Sequence, residues 1–284
     1  MDDIRELSAA EFPPLLREIA DPPKTLFVKG SMPGPDRKFL TVVGSRRMSR
    51  YGKDACEHLI AGLSGYPVVI VSGLALGIDG VAHRAALSAG LRTIAVPGSG
   101  LSEQVLYPRA HLGLAREIVE KGGALVSEMK PDEPATPYGF PRRNRIMAGL
   151  SHATLVIEAG VKSGTLVTAK LTVDYNRELL AIPHSIFSES GAGGHLFMKL
   201  GAQPARSAAD ILEALGFEAS AVERELPAMT PEEKRAFAAL AEPMSRDELI
   251  RALGIPTEHA NVLLASMELK GIIAVSGGEV RRNI

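Results

Sequence analysis

Tryptophan is missing from this chain, and only one cysteine, Cys56, is present. A lone thiol excludes an internal disulfide framework and reads as a small buried hydrophobe in a helix. Neither sign of charge is in excess: 32 lysines and arginines meet 33 acids, a formal net charge of −1. That excludes a histone-like binder, so any nucleic-acid site has to be a local patch. No apolar run approaches the ~20 residues a membrane helix needs. The start, Met-Asp-Asp-Ile-Arg-Glu-Leu, is too charged for a signal peptide. A soluble, cytoplasmic protein without membrane contact is expected. Two nucleotide fingerprints are also lacking. Gly44 is followed by Ser-Arg-Arg rather than by G-x-G-x-x-G, and no acid stands near Val71-Ser72-Gly73 to hold a ribose. The Walker A pattern does not occur, which argues against nucleotide hydrolysis at a P-loop. Seven histidines are scattered without zinc spacing, and no Ser-His-Asp set follows from their order. The residues therefore imply no cofactor, no metal and no catalytic set. Asp79 and His83, four apart on one helical pattern, read as a polar surface pair.

What the chain does have is concentrated in residues 140–170. Phe140-Pro-Arg-Arg-Asn-Arg145 sets three arginines around one asparagine with no acid among them. A short helical pattern follows (Ile146, Met147, Leu150), then an apolar run at 153–157 long enough for one buried strand. Lys162-Ser163-Gly164-Thr165 then opens a second helical pattern. A helix start of this kind leaves free N–H groups at a positive dipole end, which suits an anion.

The surrounding chain alternates strand and helix. Strands are expected at 39–43, 68–71, 93–96, 124–127, 153–157 and 178–182, with helices at 81–89, 111–121, 165–176, 196–200 and 208–215. A length of 284 residues with 45% hydrophobic content supports one sizeable core and a small second domain. The fold class is α/β: an extended Rossmann-like, doubly wound, mostly parallel sheet plus a small C-terminal winged-helix domain. Ligands bind beyond the carboxyl ends of such strands, where Gly44, Gly73, Gly98 and the turn at Lys162 gather. Residues 1–35, rich in proline, read as an N-terminal extension with one helix at 9–19 and a short strand at 25–29. The core domain then covers 36–216, and 217–230 forms a linker. Residues 231–284 read as three helices and a hairpin joined by Gly277-Gly278.

Each basic cluster has an ordinary reading beside a functional one. Residues 44–53 carry four basic residues and no other charge before Lys53's successor Asp54; they are a solvated turn or a phosphate nest. Residues 140–145 are an ion-paired helix start, with Glu158 and Asp132 as candidate partners, or a phosphate site. Ser163-Gly164-Thr165 is a plain N-cap or an anion site. In 231–284, seven lysines and arginines meet eight acids. The candidate recognition helix carries Glu258 and Glu268 against one lysine, Lys270. A duplex reader should be clearly positive, so this segment is expected to pack on the core or dock a protein.

The motifs, in order, resemble the DNA-processing protein A family, also called Smf or DprA. They are Val-Gly-Ser-Arg at 43–46, Ser-Gly-Leu-Ala-Leu-Gly-Ile-Asp at 72–79 with Ala-His at 82–83, Ala-Val-Pro-Gly at 95–98 and Tyr-Pro at 107–108. Ser-Glu at 127–128, Phe-Pro-Arg-Arg-Asn-Arg at 140–145, Ser-Gly-Thr-Leu-Val-Thr-Ala at 163–169, Gly-His-Leu at 194–196 and Gly-Ala at 201–202 complete the set. The resemblance implies a protein without enzyme activity that binds single-stranded DNA. It implies protection of incoming DNA in natural transformation, loading of the recombinase RecA, and a homodimer formed through the Rossmann domain. Carried onto this chain, the DNA site would use Gly44, Ser45, Arg46 and Arg47, with Phe140, Arg143, Asn144 and Arg145. The reading of the residues adds Gly73 at the same sheet edge and the anion-binding helix start Lys162, Ser163, Gly164 and Thr165. A lysine common in the family before Phe-Pro is replaced here by Pro137-Tyr138-Gly139. The alternative, from another class, is a nucleotide-processing enzyme resembling the lysine-decarboxylase-like phosphoribohydrolases. Their Pro-Gly-Gly-x-Gly-Thr run is matched only in part by Pro97-Gly-Ser-Gly100.

Overall fold

β-Branched and leucine-rich runs too short to be helices line up as a central sheet in the computed structural model, which describes residues 4–160, 163–218, 229–276 and 278–282. Two units divide the chain, Met1–Ala219 and Ser220–Ile284. In the first, the order is β1 (Ile4–Leu7), α1 (Pro14–Arg17), β2 (Leu26–Gly30), β3 (Lys38–Val43), α2 (Arg50–Ala61), β4 (Val68–Ser72) and α3 (Ile78–Ser88). There follow β5 (Arg92–Ala95), α4 (Leu112–Glu120), β6 (Ala124–Ser127), α5 (Gly139–Leu150) and β7 (Ala153–Val156). α6 (Thr165–Asp174), β8 (Glu178–Ala181), α7 (Ala192–Lys199), β9 (Gln203–Pro204) and α8 (Ala208–Ala214) close the unit.

The strands form one sheet in the order β1-β2-β6-β5-β4-β3-β7-β8-β9. β1, β2 and β6 pair antiparallel, and the remaining pairs are parallel. This is the expected doubly wound sheet. Its parallel strands are covered on both faces, which is why β4, Val-Val-Ile-Val-Ser, is buried along its whole length. Val69, Val71 and Ile94 enter one core layer, and Leu40, Ile70 and Leu155 the other. Each such side chain contributes roughly 1.5–3 kcal/mol by leaving water. β3 lies between β4 and β7, so the chain turns outward in opposite directions on its two sides. That switch point opens a crevice at the carboxyl ends of β3 and β7. Val43 pairs with Val156, and the Ile157 N–H donates to the Val43 carbonyl at 3.0 Å, so the two loops leave side by side.

The first 35 residues differ from the expectation of an extension. Ile4–Leu7 adds an edge strand to β2, and β2 pairs with β6, so this segment extends the sheet. The helix expected at 9–19 is a 3-10 turn at Ala9–Glu11 and a single turn at Pro14–Arg17. Pro13 lacks the N–H that would have joined them, and Pro14 disfavours helical backbone at Pro13, whose ψ is 141°. Arg5 and Glu6 concealed β1, because charged side chains belong on an edge strand and break the apolar pattern. The linker expectation at 217–230 falls largely on 219–228, outside the described residues. Phe217 itself packs on Tyr66 with ring centres 5.5 Å apart. Among the described residues no helix is long and apolar enough to cross a membrane.

The second unit contains α9 (Pro231–Ala239), β10 (Met244–Ser245), α10 (Arg246–Leu253), α11 (Thr257–Leu269), β11 (Ile273–Ser276) and β12 (Glu279–Arg282). β12 lies between β10 and β11, giving the expected winged-helix arrangement. Thr230 with Glu233 and Ser245 with Glu248 form capping boxes that start α9 and α10. Gly254 ends α10 at φ 64°, a left-handed conformation that suits glycine. The short strand β10 was not expected. Its two residues are too few for a period to show.

Candidate nucleic-acid interface

The turn after β3 is fixed at both ends. A Cβ on Gly44 would stand 2.6 Å from the Ile78 side chain, so α3 abuts this position and only glycine fits. The Ile78 N–H donates to the Ser45 carbonyl at 3.2 Å, and the Arg47 N–H to Ser45 Oγ at 3.0 Å. At the far end Ser49 caps α2 by accepting from the Gly52 N–H at 3.0 Å. Ser49 also donates its N–H, at 2.8 Å, and its hydroxyl to the buried carboxylate of Glu158. Glu158 is thus a brace for this turn and not a partner of the 140–145 arginines. Arg46 and Arg47 extend exposed from the braced turn. Neither has a carboxylate in salt-bridge range among the described residues. The Arg46 guanidinium lies 5.1 Å from the centre of the Phe140 ring, a cation–π arrangement.

Residues 140–145 lie wholly within α5, with Pro141 in its first turn, where a missing N–H is tolerated. Helical spacing then sorts the side chains. Phe140, Arg143, Asn144 and Met147 share one face and border a groove of about 1120 Å³. Arg142 and Arg145 fall on the other side and converge on Glu128, at 3.0 and 2.7 Å. Arg145 also lies 3.3 Å from Asp21. Arg145 was expected in the DNA site; the structure places it, buried, in an ion-paired cluster outside the groove. Asp132, the other candidate partner, instead accepts from the Ser102 hydroxyl.

Arg143 borders the groove but is buried. Its Nη1 donates to the Val96 carbonyl, and its Nη2 lies 3.7 Å from Asp79. Its Nε has no hydrogen-bond partner among the described residues. A Cβ on Gly73 would stand 1.6 Å from Arg143 Nη1, so the glycine at the end of β4 makes room for this guanidinium. That corrects the role expected of Gly73, which abuts the site through Arg143 and lines a narrow slot with Arg46, Tyr107 and Phe140. Burial raises the Asp79 carboxyl above its ordinary value, with the Arg143 charge pulling the other way. Burial also lowers Arg143, which starts so high that it stays charged. Asp79 and His83 are not the surface pair expected: both are buried. His83 Nδ1 sits 2.7 Å from the Thr93 hydroxyl, and burial pushes its imidazole down to about 3.

The third wall is the start of α6. Ser163, Gly164 and Thr165 border the groove as expected. Of the free N–H groups expected there, most are engaged. Ser163 N donates to Gly160 O at 3.0 Å, Thr165 N to Ser163 Oγ at 3.2 Å, Leu166 N to Ser163 O at 3.1 Å and Val167 N to Gly164 O at 3.1 Å. A local turn satisfies these four donors; the Gly164 N–H has no hydrogen bond among the described residues and remains for an anion, together with the dipole end of a 10-residue helix. Lys162 lies outside the described residues. The groove thus brings together Gly44, Ser45, Arg46 and Arg47 with Phe140, Arg143 and Asn144, and with the α6 start. Asp79 is visible in the sequence only as part of a motif and a polar pair, and its pairing with Arg143 and that of Glu128 with Arg145 are not foreseen there; Thr168, one turn beyond Thr165 on the same wall, is also missed as a site residue. Only the helical spacing of 140–147 carried a signal for that division.

A family model described as DNA recombination-mediator protein A matches residues 4–216, and one described as the DprA winged helix domain matches residues 221–279. Protein Smf of Escherichia coli (strain K12) is 45% identical over 206 residues, 72% of this chain and 54% of that protein. The chain therefore spans about half the length of that relative. The X-ray structure of DNA processing protein A from Streptococcus pneumoniae matches with a TM-score of 0.68 at 39% identity, covering 74% of each chain. DNA processing protein A from Helicobacter pylori, described for its single-stranded DNA binding mode, matches with a TM-score of 0.67 at 28% identity. That match covers 76% of this chain and 98% of the Helicobacter one. With both models matched in order and the sheet superposing on solved members, this chain belongs to the DNA-processing protein A family, also called DprA or Smf.

Proposed function

We propose that this protein binds single-stranded DNA in the groove at the β3–β7 switch point. The observation that carries this reading is Arg46: an exposed cation on a braced turn, stacked on Phe140, with no carboxylate in salt-bridge range among the described residues. Phosphates need such cations, and bases need a π-face. Phe140 and the neighbouring Tyr107 ring, 5.8 Å away, supply two aromatic faces beside the guanidinium. Membership of the family and the single-stranded DNA described for the Helicobacter relative support the same ligand. In this reading the protein acts in the cytoplasm, shields incoming strands, loads RecA and dimerises through its first unit, without catalysing a reaction. The nucleotide-processing alternative loses support at the end of β5. The Phe140 ring packs on Gly98, and the Lys130 and Pro131 carbonyls press on Gly100, so protein covers the glycine-rich loop that a phosphoribohydrolase would need open.

Gel shifts with single-stranded and duplex DNA, run over a salt series, test the proposal. Single strands should bind preferentially. Arg46→Ala with Arg47→Ala should weaken binding alike for all sequences and flatten the salt slope by about one per lost phosphate contact. Unchanged affinity in the folded double variant would refute the assignment.

A further inference from the structure

A second concavity lies at the opposite edge of the sheet, by the amino ends of β3 and β7. It is a cleft of about 660 Å³, within the roughly 300–1,000 Å³ typical of small-ligand pockets. Its floor is apolar: Leu7, Phe12, Phe39 and Leu150 are all buried side chains. Pro13, Pro14, Pro33 and Pro35 stand around it. Fixed proline φ angles hold these walls in place before any ligand arrives, which lowers the ordering cost of binding.

The polar groups at the cleft are few and unequal. Arg5 is matched by Glu11, 3.7 Å away. Arg37 has no carboxylate in salt-bridge range among the described residues. His152 accepts the Phe39 N–H at Nδ1, 3.1 Å away, so the neutral ring carries its proton on Nε2. Burial pushes that imidazole down to about 4, which keeps it neutral at physiological pH. The cleft thus combines an apolar floor, one uncompensated guanidinium and one neutral N–H donor.

We propose that this cleft binds an apolar carboxylate, its hydrocarbon or aryl body on Phe12, Phe39 and Leu150 and its carboxylate on the Arg37 fork. A guanidinium matches a carboxylate with two parallel hydrogen bonds, and the His152 ring offers a further donor. A single uncompensated cation suits one negative charge and not a phosphate dianion. The same chemistry is carried by a small free acid and by the apolar C-terminal residue of a peptide. The site is separate from the DNA groove, and its test is independent of the reading given above.

Calorimetry on the full chain with octanoate, octanamide, acetyl-Gly-Leu-Phe as free acid and its C-terminal amide provides the test. Each acid should bind at least tenfold more tightly than its amide. Arg37→Gln should remove that difference while leaving single-stranded DNA binding unchanged. Leu15→Trp, at the half-buried cleft wall, should weaken both acids. The His152 ring resonances should shift on titration with acid. Tighter binding of octanoate would identify a small acid as the source, and tighter binding of the peptide acid a protein chain end. Equal affinity for acids and amides, no binding of either acid, or an Arg37→Gln variant that keeps its preference would overturn the proposal.

Discussion

The exposed arginines of the groove and those of the C-terminal unit differ in what their donors reach. In the groove, Arg46 lies over the Phe140 ring and Arg47 is exposed next to it in the chain, neither with a described carboxylate in salt-bridge range. In the C-terminal unit the cations are engaged at home. Arg246 donates to Asn261 at 3.1 Å and Arg251 to the Asp247 carbonyl at 3.2 Å. Arg282, on the second wing strand, lies 4.6 Å over Phe237 and donates to its carbonyl at 2.9 Å. Lys270, the one lysine of the recognition-helix end, is 2.7 Å from the buried Glu233 carboxylate. The outward side of α11 instead presents Val262 and Leu269, 69% and 90% exposed, with Glu258 and Glu268 beside them. Two near-neutral units therefore differ in where their cations point: into a groove beside an aromatic ring in the first, and onto the unit's own neutral oxygens in the second; counterion release rewards cations that reach phosphate, not net charge. We accordingly expect the winged helix to dock a protein and not to read duplex sequence, which truncation at residue 228 tests.

The comparison breaks first inside the groove, where Arg143 is structural and Arg46 is not. Asp79→Ala leaves Arg143 buried without its counter-charge and should cost about 3–5 kcal/mol of stability in urea unfolding. The Arg46→Ala, Arg47→Ala double variant should unfold at the wild-type midpoint. Equal midpoints for all of these proteins would mean that the buried and exposed arginines do not differ as described.

Acid should separate the two units. The folded His83 imidazole is held near 3 and His152 near 4, both below the unfolded value of about 6.5. The unfolded chain then takes up protons first, so stability falls as pH drops below about 6.5. For fully buried His83 the loss between pH 7 and 4.5 is about 2–3 kcal/mol. In the C-terminal unit the Lys270 hydrogen bond lowers the Glu233 carboxyl. Its contribution is present above the unfolded glutamate value, about 4.3, and disappears only below it. Residue-resolved NMR in a urea series at pH 7 and 4.5 should show the first unit weakened and the second unchanged; equal weakening of both would contradict this.

Phe140→Ala should lower single-strand affinity by roughly 1–3 kcal/mol for one stacked base while leaving the salt slope unchanged. A changed slope would mean that Phe140 acts only by placing Arg46. The smallest effect is expected from ending the chain at residue 228. Affinities for single strands and for duplex should both stay at their full-length values, and a large loss for duplex would show that the winged helix does read DNA.

Much of the fold is legible along the chain because its signals are local. The buried run at 68–72 and the glycine turns after β3 and β4 mark a doubly wound sheet without reference to distant residues. β1 is not legible, since Arg5 and Glu6 suit an edge whose existence depends on β2. The arginine stretch at 140–145 is visible as a cluster, but its division is not. Which face of α5 turns to the groove is decided by packing against β3 and β4, and Arg145 leaves the site because Glu128, from the end of β6, waits behind it.

The sequence by itself determined the alternation of strands and helices from β3 to β8, the winged-helix pattern, the neutral balance of charge and the motifs that identify the family. Those depend on spacing and composition, which neighbours along the chain carry. The tertiary structure alone decided that Arg46 and Arg47 remain available, that Arg143 and Arg145 are neutralised by Asp79 and Glu128, and that Gly73 serves an arginine. Charge compensation acts over a few ångströms in space between residues far apart in the chain, and no local pattern records it.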